Sequence, residues 1–288
     1  MKSITRTLIG SKLQTALMLG LTHTYDQHTT LNELFEIQSG VLPPTTTNPK
    51  MGYLAVGDGG HYMATGSDGV AYPADHQHRA SDQACFNHLP WILRPVDNDL
   101  TKEERDKYAL RREELHGEDR YFAYYLKRVD LTGANIELLH TVVVDGNEST
   151  VPYNYTSANL NPTPPTLSNT GAVATSGDYL TSRALLDLNM SDSDVAEFVN
   201  VAKVLYGNPK RAIISELAIC SGVDKQVTGA AATGANIQVK EAIGVQVCAH
   251  LTACYTVGYS NAGFDFQLDY GATAPLLPSD YSDTTVTA

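Results

Sequence analysis

Between positions 61 and 88 the chain gathers His61, His76, His78, Cys85 and His88, and the densest part reads "DHQHRASDQACFNH". Histidine and cysteine are zinc-binding types, and a structural zinc site pairs its ligands a few residues apart, twice over. Only Cys85 and His88 meet that spacing, because His76 and His78 stand one residue apart. A metal is therefore one reading of the cluster. A second chemistry would make Cys85 a nucleophile, with His88 or His61 as base and Asp82 to assist. Thiol catalysis depends on neighbours in space, and no family-like signature surrounds this cysteine. The plainest reading is a polar loop running into the apolar "LPWILRP", with Cys85 as a small filler.

Other candidates weaken on inspection. In "GYLAVGDGGHYMATGSDGVAYP" the glycines suggest a phosphate cradle, but no Lys and Ser/Thr pair follows them. Asp58 and Asp68 lack the closing Glu of a calcium loop, so turn chemistry explains the Asp-Gly pairs better. Cys248, His250 and Cys254 would share one face of a strand, as ligands or as its mild polar side. Glu103 with Glu104 and Glu113 with Glu114 are adjacent pairs that point to different faces of a helix, like solvated charge. The expectation is no catalytic residue, no cofactor and no metal.

These residues need elements to hold them. Leu8, Leu13, Leu17, Leu21, Leu31, Leu34 and Phe35 recur at three- and four-residue spacings, so residues 1–40 read as helical. "LTKEERDKYALRREELHG" at 100–117 reads as one helix, capped by Thr101 with Glu104 three places on. "YFAYYLKRVDL" at 121–131 is rich in aromatic residues and reads as a strand. Ser191 and Asp194 make a second capping box, and Gly207 then Pro209 close that helix. "RAIISELAICSG" is apolar on both faces, as a central strand would be. From Val245 to Tyr259 every second residue is apolar, which favours a half-buried strand. A helix carrying Ile243, Val247, Leu251 and Cys254 on one side is the competing assignment. "SNAG" would turn the chain and "FDFQLDYG" would return, giving a hairpin arm about 50 Å long at ~3.3 Å per residue.

The resulting fold class is α+β, with a helical N-terminal segment and a strand-rich C-terminal half built on that long hairpin. Three regions are expected: a mixed part at 1–145, a Pro/Thr/Ser/Asn-rich linker or arm at 146–180, and an α+β domain at 181–288.

Composition narrows the function classes. With 20 Lys plus Arg against 32 Asp plus Glu the net charge is −12, which opposes the phosphate neutralisation that nucleic-acid binding needs. No apolar run approaches the ~20 residues of a membrane-spanning helix. Four cysteines are too few for a disulfide scaffold and suit a reducing compartment. Only 18% of residues are charged while tyrosine is plentiful at 16, a balance closer to the cores of protein interfaces than to a free-standing enzyme.

The segments "MGYLAVGDGGHYMATGSDG", "FNHLPWILRP", "LTKEERDKYALRREE", "YFAYYLKRVDL", "AIISELAICSGVDK" and "YSNAGFDFQLDYGATAPLLP" resemble virion structural proteins of contractile-tailed bacteriophages. That resemblance covers about two thirds of the chain and leaves out 146–180. It implies a non-enzymatic subunit in the virion tail, of baseplate type, held by copies of itself in a ring of hexameric symmetry and by other virion proteins. A neck or head–tail connector is the alternative within that class. A metal-dependent hydrolase using the 61–88 cluster is the alternative outside it.

Overall fold

The computed structural model describes residues 3–144, 146–154, 160, 175–231, 233–256 and 263–275. Its elements run β1 (Ser3–Arg6), α1 (Leu8–Met18), α2 (Leu31–Leu34), β2 (Lys50–Gly57), β3 (His61–Thr65), β4 (Ala71–Asp75), β5 (His88–Leu89) and β6 (Ile92–Pro95). Then come α3 (Lys102–Arg105), β7 (Tyr108–His116), β8 (Asp119–Arg128), β9 (Ile136–Val144), β10 (Asn147–Pro152) and β11 (Thr175–Met190). Helix α4 (Asp192–Tyr206), β12 (Ile213–Ala230), β13 (Asn236–Thr256) and β14 (Phe264–Pro275) complete the order. The chain is strand-rich with few helices.

Two bodies result. One joins Met1–Asp130 to Asn189–Phe264, and the other joins Leu131–Leu188 to Asp265–Ala288. This grouping differs from the expected cuts at 145 and 180, because strands distant in sequence pair within each body. The first body holds an antiparallel sheet ordered β1-β13-β12-β2-β8-β6, with β5 on β2 and β7 on β8. A separate two-stranded sheet pairs β3 with β4. The second body is the sheet β10-β9-β11-β14. The expected linker is thus partly strand, in β10 and the start of β11, and the rest of it lies outside the described residues.

Helix α4 forms as its sequence predicts. The Ser191 hydroxyl accepts the Asp194 N–H while the Asp194 carboxylate accepts the Ser191 N–H, and Gly207 ends the helix at φ +66°. Val195, Phe198, Val201 and Ala202 form its buried face. Each large apolar side chain there contributes about 1.5–3 kcal/mol. The core cluster to which Val201 belongs takes Leu31, Phe35 and Ile37 from the N-terminal part, Tyr53 and Ala55 from β2, and Ala218, Cys220, Ala242, Val245 and Val247 from β12 and β13.

Four expectations need correction. The capping box of Thr101 and Glu104 is present, but its helix ends at Arg105 and residues 108–116 are strand β7. Pairing along β8 from Tyr108↔Lys127 to His116↔Asp119 outweighs the helical propensity of "LRREEL", and the turn falls at Gly117, φ +67°. Residues 245–256 are strand rather than helix, yet all ten positions 241–250 are buried, so both faces are covered. The long hairpin exists with a different partner: β13 pairs with β12 along Ile213↔Thr256 to Ala230↔Asn236, while β14 joins β11. Residues 257–262, which include most of "SNAG", lie outside the described residues. The N-terminal segment is only partly helical, because α1 and α2 are separated by irregular chain and preceded by a strand.

Candidate functional site

The loop of residues 76–87 and the glycine stretch before β3 meet over one carboxylate, that of Glu216. This residue lies in β12 within the run "IISELAIC" and is fully buried. Its Oε1 accepts the N–H groups of Gly59 at 2.7 Å and Asn87 at 3.1 Å. Its Oε2 accepts the Phe86 N–H at 2.7 Å and faces His78 Nε2 at 2.9 Å. The neighbouring Ser215 hydroxyl accepts the Gly60 N–H at 3.0 Å. Glycine is required at this approach: a Cβ on Gly59 would stand 2.7 Å from Asn87 N and 2.8 Å from Glu216 Oε1. The "GDGG" segment is therefore a lid of bare backbone over a carboxylate rather than a cradle for phosphate.

His78 occupies the centre of the cluster, its side chain sealed from solvent. Its Nδ1 lies 3.1 Å from Asp82 Oδ2 while its Nε2 faces Glu216. An ionised carboxylate has no proton to offer, so both contacts are hydrogen bonds only when both ring nitrogens carry hydrogen. The arrangement sets the His78 ring, with both nitrogens engaged, between two carboxylates. Its ring is stacked on Phe86 at 4.0 Å on one side and on His250 at 3.7 Å on the other, nearly parallel to both.

The carboxylates are tuned by this setting. Burial alone would raise the Glu216 pKa, but the hydrogen bonds from His78, Asn87 N–H and Phe86 N–H outweigh it and hold the group below the usual carboxylate range. Asp82 is likewise held low against its burial, by the Arg79 N–H and by His78. Burial, helped by the neighbouring His78 charge, pushes His250 down to about 4. It is therefore neutral at pH 7, with Nε2 3.4 Å from the Asp82 carbonyl oxygen and Nδ1 buried without a partner.

The other singled-out residues go elsewhere. His76 Nδ1 lies 2.9 Å from the Gly59 carbonyl, and its ring stacks on Tyr62 at 4.7 Å. His61 opens β3 opposite Asp75. Cys85 is buried in the core cluster, where burial and the nearby Glu216 charge raise its pKa well above that of a free thiol. Such a thiol is a poor nucleophile. His88 packs edge-on to Phe35 and Tyr125, and burial drives its pKa down to about 4. Cys248 lies buried with its Sγ 3.8 Å from the Gln246 carbonyl oxygen, and the Cys254 side chain lies outside the described residues. Asp58 accepts the Tyr206 hydroxyl at 2.8 Å, and Asp68 Oδ1 accepts the Val70 N–H at 3.0 Å in the β3–β4 turn. Glu104 serves the capping box, Glu113 pairs with Arg120, and Glu114 accepts from Arg112. Among the described residues, no three His, Cys, Asp or Glu side chains are placed to hold a metal ion.

Sequence reasoning thus singled out His78 and Asp82 but missed Glu216, and it did not bring His250 to His78. The signal for Glu216 was a single charged residue inside an otherwise apolar central strand, which must find partners in the fold. Within the cluster both carboxylate oxygens of Glu216 are engaged. Comparison with curated proteins and with solved structures returns no match. Residues 1–285 match the model of a family of unknown function, DUF7208, and the chain belongs to that family.

Proposed function

We propose that the chain is a non-enzymatic structural subunit of a bacteriophage virion, assembled into the tail baseplate by contacts with its own copies and with other virion proteins. The observation that carries this reading is the end of α1. No charged residue occurs between Lys12 and Asp26, and Leu17, Met18, Leu19 and Leu21 are all exposed. A second set of exposed apolar groups supports it: in β3, β4 and their turn, Tyr62, Met63, Val70 and Tyr72 are exposed. Exposed apolar groups gathered in this way mark surfaces that other proteins cover. The resemblance to contractile-tail subunits supplies the particle, the ring and its sixfold symmetry. A neck or connector position rests on the same surfaces. The competing hydrolase reading would need Cys85 or the His76–His88 cluster free to act, and these side chains are engaged as described above.

Native mass spectrometry of the purified chain over a range of concentrations tests the proposal. Closed rings of six copies, lost in Met18→Asp with Leu21→Asp while circular dichroism is kept, are the expected result. A monomer at every concentration, also when mixed with the other tail proteins of its parent particle, would overturn it.

A further inference from the structure

The loop of residues 76–87 is fastened to the first body's sheet mainly by groups that take up protons. His78 and the Phe86 and Asn87 N–H groups hold it to Glu216 of β12, and His250 of β13 lies under the His78 ring. The β3–β4 hairpin hangs on the same loop, through the His76 N–H donated to the Gly60 carbonyl at 2.8 Å and through the Tyr62–His76 stack. The N-terminal arm adds two contacts that do not titrate: the Thr5 hydroxyl donates to the His78 carbonyl at 3.2 Å, and the Leu8 N–H to the Ala80 carbonyl at 2.8 Å. Cys85, buried in the core cluster, pins one end.

The geometry points to an acid-released latch: protonation of Asp82, Glu216 and His250 around the His78 ring frees the loop of residues 76–84 and the β3–β4 hairpin from β12 and β13, while the sheet itself stays folded. This goes beyond the assembly role and does not depend on it.

The charges that face His78 can be counted element by element. Its own loop contributes Asp82, with Arg79 exposed and bound through its backbone. Strand β12 contributes Glu216 and β13 contributes His250. From the arm, Arg6 is turned to Gln14. Acid acts on every member in one direction. A proton on Glu216 or Asp82 removes a charged acceptor that faces a nitrogen of the His78 ring. A proton on His250 has to enter at the partnerless Nδ1 and sets a cation 3.7 Å from that ring.

The linkage agrees in sign. Glu216 and Asp82 are held below their ordinary values, so what they contribute is present above the unfolded values and is lost as pH falls through the folded ones. His250 is lowered from 6.5 to about 4, so the folded state takes up its proton later than the unfolded chain, and stability drops as pH falls through that window. The core cluster contains no carboxylate or histidine of its own, and His88, which packs on its Phe35 and Tyr125 and is likewise lowered to about 4, sets the pH below which acid acts on the sheet as well.

Hydrogen exchange on the full chain at pH 7 and at steps down to pH 4, corrected for intrinsic rates, tests the latch. The fluorescence of Trp91, the single tryptophan and 2% exposed, is read on the same samples to follow the sheet. Protection at 76–84 and 59–65 is expected to fall on the order of tenfold while β12, β13 and Trp91 are unchanged, as in sub-global opening. His250→Phe keeps the stack and removes one proton site, so it should move the release to lower pH. Glu216→Gln should open the loop already at pH 7. Loss of all protection in one step with the Trp91 signal, or a release that His250→Phe leaves at the same pH, would overturn the proposal. Should Glu216→Gln not fold, the His250→Phe comparison alone decides.

Discussion

Glu216 and Glu241 are both carboxylates buried in the same sheet, on neighbouring strands, and their pKa values move in opposite directions. Glu216 has three backbone N–H donors and the His78 ring, and it stays below the usual range. Glu241 accepts the N–H groups of Leu110 at 2.6 Å, Arg111 at 3.0 Å and Ala242 at 2.8 Å, yet burial wins and its pKa rises. Both carboxylates therefore receive hydrogen bonds from peptide N–H groups. What separates them is a counter-charge in contact, because dipoles alone offset only part of the cost of burying an ion. Glu241 has a local task instead: Leu110 sits at φ +52°, an uncommon conformation for leucine, and the carboxylate gathers its N–H and the next one. Strain of that kind costs about 1–3 kcal/mol.

The largest effect should come from breaking the Glu216 side. Glu216→Ala leaves His78 and three N–H groups without their acceptor, and urea unfolding at pH 7 should show a loss of about 3–5 kcal/mol. Gly59→Ala attacks the same site from the lid, by steric overlap rather than charge, and should lose about 1–3 kcal/mol in the same measurement. The contrast itself is sharpened by pH. Because Glu216 is lowered, the deficit of Glu216→Gln relative to the parent should shrink as pH falls below 4.5, the ordinary value. Because Glu241 is raised, its charge subtracts from stability as pH climbs above 4.5, so Glu241→Gln should compare best with the parent near pH 7 and worst in acid. Parallel slopes for the two variants in urea midpoints between pH 4 and 8 would remove the distinction drawn here. The smallest effect is expected at His88, neutral and packed on Phe35 and Tyr125, with neither ring nitrogen finding a side-chain partner among the described residues. His88→Leu should lie within about 1 kcal/mol of the parent, on the stabilising side.

Local signals in the sequence carried as far as local physics decides. The capping box and closing glycine of α4 are written in "SDSD" and "GNP", and the helix follows them. The largely apolar run of 213–222, interrupted by Ser215, Glu216 and Ser221, places β12 in the middle of its sheet. The same logic misled at 108–116, where helix-forming residues are recruited by β8. Strand partners were beyond reach: "FDFQLDYG" follows β13 closely in sequence but pairs with β11, a choice made by register and burial across the fold. The site shows the same limit. His78 and Glu216 stand 138 residues apart, and nothing in either neighbourhood names the other.

The covered edge of β13 has a consequence for the order in which the molecule can be completed. Thr7 donates its N–H to the Cys248 carbonyl, and Asn32 bonds both the Ala242 carbonyl and the Val245 N–H, so residues of the N-terminal arm occupy the outer rim of a strand that comes far later in the chain. During synthesis those early residues have nowhere to dock until position 248 has left the ribosome. Closure of this sheet therefore waits for position 248, and until then the nascent chain presents an open strand rim and an apolar helix to whatever it meets.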